Sequence, residues 1–290
     1  MNKYKGLILS TEILPTRFTL LNDCSKSDRK EALKFLYYNK INDDAITSGV
    51  LRIQNDGLAV LAGQSMPAIA GFLYEAFVVR HANENKEIKK ELYMWSNDGK
   101  RRLSDKQISK IEVLGLGFPE IKETHPDIYA PQHYNNDIGF IKYRNYVEGA
   151  ILFNKNQLSN DIHLLYNNIG RSLGIQIKAI TGNERKEIIE PIIKNQYSHV
   201  LTLLRNNKSK KQSVDECRSI LNKMYNNNEI DIDTMVSTMN AIRSPEQVGI
   251  RQNEVDDYYE TIQYWYEDGM TNGNIISNPL GQQAANAILV

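Results

Sequence analysis

Residues Gly174 to Ile180 read Gly-Ile-Gln-Ile-Lys-Ala-Ile, and no other stretch limits the possible folds so sharply. Isoleucines around Gln176 and Lys178 give the two-residue period of a half-buried strand. Gln176 and Lys178 therefore leave the same face, one pleat apart. Alone, the pattern describes an edge strand with a wet polar face. Its surroundings say more. Downstream, Asn183 can cap a helix carrying Ile188, Ile189, Ile192 and Ile193, which Pro191 kinks or splits. Val200 to Leu204 then form an apolar strand. Strand, helix and strand at this spacing predict a right-handed crossover that adds a parallel strand, and so an α/β fold.

Upstream, Ser65 and Pro67 start a helix that runs to Arg80, with Ala68, Phe72, Val78 and Val79 as its apolar body. Glu75 falls close to Phe72 and Val79 in helical projection, on or beside the buried face. A carboxylate there must be paired, hydrogen-bonded or metal-bound, because burying it alone is costly. A salt bridge to Arg80 is one such arrangement. Residues 81–110 are rich in charge and read as exposed; Lys100-Arg101-Arg102 is either a phosphate contact or a solvated turn. Ile111 to Leu114 read as a short strand. The loop from Gly115 to Asn136 carries three prolines, His125, His133 and the pair Pro126-Asp127. Asp137 to Lys142 open a strand, with Tyr146 to Phe153 as hairpin partner, and Asp161 to Leu173 read as a helix.

An acidic residue on an early helix, an aspartate opening a strand and a Gln-X-Lys on the next strand, in that order, resemble the PD-(D/E)XK nuclease superfamily. The likeness spans about residues 65 to 205 and is closest to the Gln-X-Lys branches, among them modification-dependent restriction endonucleases and anti-phage effectors. It implies a restriction-endonuclease-like mixed sheet flanked by helices, a Mg²⁺ (or Mn²⁺) cofactor and a DNA substrate. It also implies roles: Asp137 as central metal ligand, Glu75 on the same ion or its waters, Gln176 as a neutral oxygen ligand, and Lys178 at the phosphate or the attacking water. Asp137 is the first choice for the motif aspartate because it opens a strand. Asp127 matches the letters but sits in proline-rich loop, and Glu148 comes third. The 39 positions between Asp137 and Gln176 exceed a simple hairpin.

The N-terminal 64 residues read as an α+β segment packed on this core: two short strands within residues 4–22, a helix over 25–38 and a turn at Asn55-Asp56-Gly57. The division expected is 1–64, a nuclease-like core over 65–208, and an acidic helical C-terminal domain over 209–290, with Asn206 to Gln212 as a basic linker. Helices are predicted over Val214 to Tyr225, Asp233 to Ile242 and Glu254 to Asp268, the last bearing tyrosines and a tryptophan that suit a core or a self-association surface. Charge divides accordingly. Residues 209–290 hold 6 Lys/Arg and 12 Asp/Glu, whereas residues 1–208 hold 29 and 23. A mildly basic core suits nucleic acid and an acidic tail suits a protein partner or self-masking.

Two distant cysteines, Cys24 and Cys217, argue for a reduced, cytoplasmic protein over a disulfide scaffold or zinc site. The first ten residues carry too short an apolar run for a signal peptide, and no run approaches a membrane span. Walker, Gly-X-Ser-X-Gly and His-Glu-X-X-His patterns are absent. The expected function is a metal-dependent DNA endonuclease of a bacterial restriction or anti-phage system. The alternative is a binding or assembly protein that keeps the nuclease fold without activity.

Overall fold

The computed structural model describes residues 40–54, 57–60, 65–99, 103–124, 126, 136–143, 162–165 and 173–272. The elements expected before residue 39, the basic triplet 100–102, His125, Asp127, His133, Glu148, the hairpin partner over 146–153 and the tail beyond 272 lie outside these residues.

A helix over residues 40–47 (α1) leads into a two-stranded antiparallel ribbon, β1 (Leu51–Gln54) and β2 (Gly57–Val60). Helix α2 (Met66–Glu84) follows, with proline in its first turn, where the missing N–H costs nothing. Helix α3 (Lys86–Ser96) is capped by Asn85, whose side chain accepts from the Glu87 and Ile88 amides. A short α4 (Asp105–Ile108), β3 (Ile111–Gly115) and α5 (Pro119–Thr124) come next. Strands β4 (Ile138–Tyr143), β5 (Ile162–Leu164) and β6 (Gly174–Lys178) are followed by a π-helical turn (Arg185–Ile189) that continues into α6 (Glu190–Ile193). The chain finishes with β7 (Val200–Thr202), α7 (Ser213–Asn226), α8 (Ile232–Asn240), β8 (Ile242–Arg243), a 3₁₀ turn (Glu246–Val248) and α9 (Gln252–Asn272).

The main sheet has six strands in the order β3-β4-β6-β7-β8, with β5 pairing to β4 off that path. It is mixed. β4 is antiparallel to β3, β5 and β6, whereas β7 is parallel to β6 and β8 parallel to β7. The predicted parallel strand after the 183–193 helical turn is therefore present, and the fold is α/β. Helices cover both faces, as neighbours on β7 reveal. Leu201 joins a large core with Leu73 and Phe77 of α2, Leu92 of α3 and Ile175 and Ile177 of β6. Val200 joins a second core with Ile188, Ile189, Ile242 and Val214, Cys217 and Leu221 of α7. Adjacent residues of a strand point to opposite faces, so the two cores flank the sheet.

Several expectations change. Residues 86–96 are not simply exposed: Ile88, Leu92, Tyr93 and Trp95 are buried along one stripe of α3, a 3–4 spacing masked by the interleaved lysines and glutamates. Residues 162–164 form a strand on β4, not the start of a helix, because Ile162 to Leu164 complete β4's free edge. The loop over 115–136 contains α5. Ile242 leaves the helix that precedes it and enters the sheet as β8. The stretch beyond residue 209 thus supplies a strand, and α9 places Val255, Tyr258, Ile262 and Trp265 in the same core as α2.

A buried polar cluster fastens α9 to α1 and α2. Arg80 grips Asp44 with two hydrogen bonds of 3.0 and 2.8 Å, and the Tyr258 hydroxyl donates to Asp44 at 2.6 Å. Trp265 donates its indole N–H to Asn42 at 3.0 Å, and Tyr74 donates to the Val255 carbonyl at 2.7 Å. Among the described residues no helix is long and apolar enough to cross a membrane.

Candidate active site

Asp137 sits one residue before β4 and is fixed through its backbone to strands on both sides. Its amide donates to the Ile175 carbonyl at 3.1 Å, and its carbonyl accepts from the Leu116 amide at 2.9 Å. This seat depends on Gly174. A Cβ at that position would stand 2.6 Å from both the Ile138 carbonyl oxygen and the Asn136 side chain, so only glycine lets the start of β4 approach β6 this closely.

The Asp137 side chain closes the arrangement. One carboxylate oxygen, Oδ2, accepts from the Gln176 side-chain amide at 2.6 Å and from the Ile177 backbone amide at 2.7 Å. These bonds orient the Gln176 amide, since turning it over would set its oxygen against a carboxylate. Its carbonyl oxygen, Oε1, is then buried without a hydrogen-bond partner. Buried acceptors are rarely left so.

Lys178 follows on the same face of β6, and its ammonium lies 4.8 Å from the centre of the Tyr197 ring. Its carbonyl accepts from Leu203 at 3.0 Å, continuing the β6–β7 ladder. Glu75 approaches from α2. It makes no hydrogen bond or ion pair with another described residue, and Arg80, the partner available in sequence, is bound to Asp44 instead.

Electrostatics tie the three ionisable groups together. Burial, then the Asp137 charge, hold the Glu75 carboxyl well above its ordinary range, against the pull of Lys178. Burial pushes the Asp137 carboxyl up to about 6, although the Ile177 amide, the Lys178 ammonium and the Gln176 amide each pull it back. Two half-buried carboxylates, one lysine and an orphaned amide oxygen therefore lie within electrostatic reach of one another. Such clustering of displaced ionisable groups is characteristic of sites that bind or react.

The residues singled out in sequence, Glu75, Asp137, Gln176 and Lys178, are brought together. Asp127 and Glu148 lie outside the described residues. Tyr197 and Gly174 carried no signal of their own: Tyr197 follows α6 in an irregular stretch, and Gly174 reads as the ordinary start of a strand. Among the described residues no group of three or more His, Cys, Asp or Glu side chains is gathered as a metal cage. The oxygen donors present are the free oxygen of Asp137, the Glu75 carboxylate and Gln176 Oε1. An all-oxygen set fits a hard divalent cation such as Mg²⁺, which keeps several waters, and the unpartnered amide oxygen is the observation that favours it.

No protein-family model matches the chain, and neither does any curated protein or solved structure.

Proposed function

We propose that the chain is a metal-dependent endonuclease that hydrolyses DNA phosphodiester bonds, with Asp137, Glu75, Gln176 and Lys178 as its working residues. The observation that carries this reading is the clamp of Asp137 by Gln176 and Ile177 on the strand that also presents Lys178, with the half-buried Glu75 coupled to both charges. Order and connectivity support it too. Helix carboxylate, aspartate before a strand, Gln-X-Lys on the neighbouring strand, helical turn and parallel strand follow one another as in the PD-(D/E)XK superfamily, which the sequence resembles.

The chemistry follows from what each group can do. Asp137, Glu75 and Gln176 Oε1 would hold Mg²⁺ or Mn²⁺, which supplies Lewis-acid polarisation of the phosphate and an acidified water. Gln176 uses its N–H to fix Asp137 and leaves its oxygen free, so one side chain both orients a ligand and acts as one. Lys178 brings positive charge to the scissile phosphate or orients the attacking water, and the Tyr197 ring beneath it restricts where that charge can go. The low-dielectric setting that raises the two carboxyls also strengthens each of these interactions. The setting of a bacterial restriction or anti-phage effector, with a partner or a second copy as trigger, belongs to the same proposal.

The test is cleavage of supercoiled plasmid with Mg²⁺ or Mn²⁺ by the wild type and by Lys178→Ala. Metal-dependent nicking lost in the variant is the expected result. Equal cleavage by both proteins would remove the site assignment. A chain that binds DNA but never cuts it would favour a nuclease fold retained for binding, a reading that the neutral Gln176 in a ligand position keeps open.

A further inference from the structure

The basic stretch read in sequence as a linker is a fixed loop. Arg205 and Gln212 pair across its base, and the Asn206 amide donates to the Lys211 carbonyl at 2.9 Å. The Asn206 side-chain oxygen accepts from the Lys208 and Ser209 amides at 2.9 and 3.1 Å, while its N–H donates to the buried Glu184 at 2.7 Å. Asn207 ties the loop to Thr181 twice, through its backbone amide at 2.9 Å and its side chain at 3.0 Å.

Lys208, Lys210 and Lys211 are all exposed on this scaffold. Among the described residues none of them forms an ion pair, whereas other exposed cations of the same part of the sequence do: Arg205 with Asp256, Arg185 with Glu190 and Glu229, Lys194 with Glu190 and Arg218 with Asp215. Lys210 adopts a φ of 62°, a conformation that favours glycine or asparagine, yet the position carries a cation. Exposed lysines on a flexible turn would be an ordinary solvated surface. Three unpaired lysines on an anchored loop put positive charge at its tip, while the carboxylates that touch the loop, Glu184, Glu246 and Asp256, meet Asn206, Gln212 and Arg205 rather than the lysines.

That place is next to the site. Thr181, which anchors the loop, is the third residue after Lys178, so their Cα atoms are at most roughly 10 Å apart, the length of three extended residues. The distance equals the rise of about three base pairs, 3.4 Å each, along the axis of duplex DNA. We infer that the 205–212 loop grips the phosphate backbone of duplex DNA a few nucleotides from the bond presented to Lys178. The inference rests on the nuclease reading for what is bound, and on the loop alone for where. Lysines act here as point charges, so the loop sets register and affinity without reading sequence.

Binding is measured with the full chain and a short DNA duplex in EDTA, so that affinity is read without cleavage, over a series of salt concentrations. The loop variant carries Lys208→Gln, Lys210→Gln and Lys211→Gln. A charge-matched control carries Lys106→Gln, Lys122→Gln and Lys223→Gln, exposed positions on α4, α5 and α7. Loss of three phosphate contacts should lower the slope of log affinity against log salt by about 2 to 3 and weaken binding roughly tenfold or more near 0.1 M salt. The control should keep the wild-type slope to within about 1.

Unchanged affinity and slope in the loop variant would overturn the inference, as would an equal loss in the control. So would wild-type protein that binds no duplex at low salt. The two proposals fail separately. A chain that cuts plasmid normally while the loop variant binds normally refutes the loop alone. A chain that binds through the loop and never cuts refutes the nuclease alone.

Discussion

Replacing Asp137 with asparagine should make the protein more tolerant of neutral pH. The Asp137 carboxyl is raised from 3.8 to about 6, chiefly by burial. Between these values the folded chain keeps a proton that the unfolded chain has lost. Stability therefore falls as pH rises through this window, because the folded state binds more protons there. A gap of about two pH units corresponds to at most about 3 kcal/mol, reached once pH exceeds 6. Asparagine is neutral throughout and carries no such penalty. The stability of Asp137→Asn minus that of wild type should accordingly grow by up to about 3 kcal/mol from pH ~4 to pH ~7, whatever the fixed offset from altered hydrogen bonds. Glu75 contributes with the same sign, since Asp137's charge is one cause of its raised value. Chemical denaturation in metal-free buffer at a series of pH values measures the difference. Added Mg²⁺ near pH 7.5 should then stabilise wild type but not the variant, by about 1.4 kcal/mol at a concentration roughly tenfold above the dissociation constant. A difference that stays flat from pH 4 to 8, or shrinks as pH rises, would refute the account of a desolvated Asp137.

Gly174→Ala should cost about 1–3 kcal/mol, because the new Cβ meets the Ile138 carbonyl, which cannot move without parting β4 from β6. Cleavage should fall with it as Asp137 is displaced; unchanged stability and cleavage would contradict the close approach. Tyr258→Phe removes a 2.6 Å bond to the buried Asp44 and should destabilise by about 1.5–3 kcal/mol in urea titration. Its cleavage should be unaltered at temperatures where the variant is folded, since the Asp44 cluster makes no contact with Asp137 or Lys178 among the bonds described.

What the sequence revealed depended on how far each signal reached along the chain. The β6 strand, its parallel neighbour and the α2 helix were legible because their patterns are local: alternating isoleucines, an apolar run, a proline at the first turn. Glu75, Asp137, Gln176 and Lys178 were legible only as an order of elements, and the Asp137–Gln176 bond spans 39 positions that no periodicity encodes. Residues 162–164 read as helical because Ile162, Leu165, Ile169 and Leu173 recur at a helical spacing, whereas pairing with β4 makes 162–164 a strand. Residues 86–96 look wet because lysines and glutamates crowd their first half, yet Ile88, Leu92 and Trp95 need only one stripe to be buried. The role of Arg80 was invisible: its partner Asp44 lies 36 positions away, on a helix that the sequence pattern left unassigned.

The choice of glutamine at 176 follows from the charge already present. Glu75 and Asp137 are both disfavoured as anions where they stand, and Lys178 is the cation that offsets both, with the Ile177 and Gln176 amides helping at Asp137. A third carboxylate at 176 would face Asp137 directly in place of the amide that now donates to it at 2.6 Å. Without a cation that arrangement would exchange a stabilising hydrogen bond for repulsion between like charges in a low-dielectric setting. Glutamine keeps an oxygen in position and lets the unliganded site fold. It also leaves less negative charge to attract a metal, so affinity for Mg²⁺ should depend on oxygens that arrive with the DNA. Calorimetric titration of Mg²⁺ into the free protein and into its complex with a duplex distinguishes the cases: weak binding that tightens with DNA is expected, and tight binding to the free protein would defeat the argument.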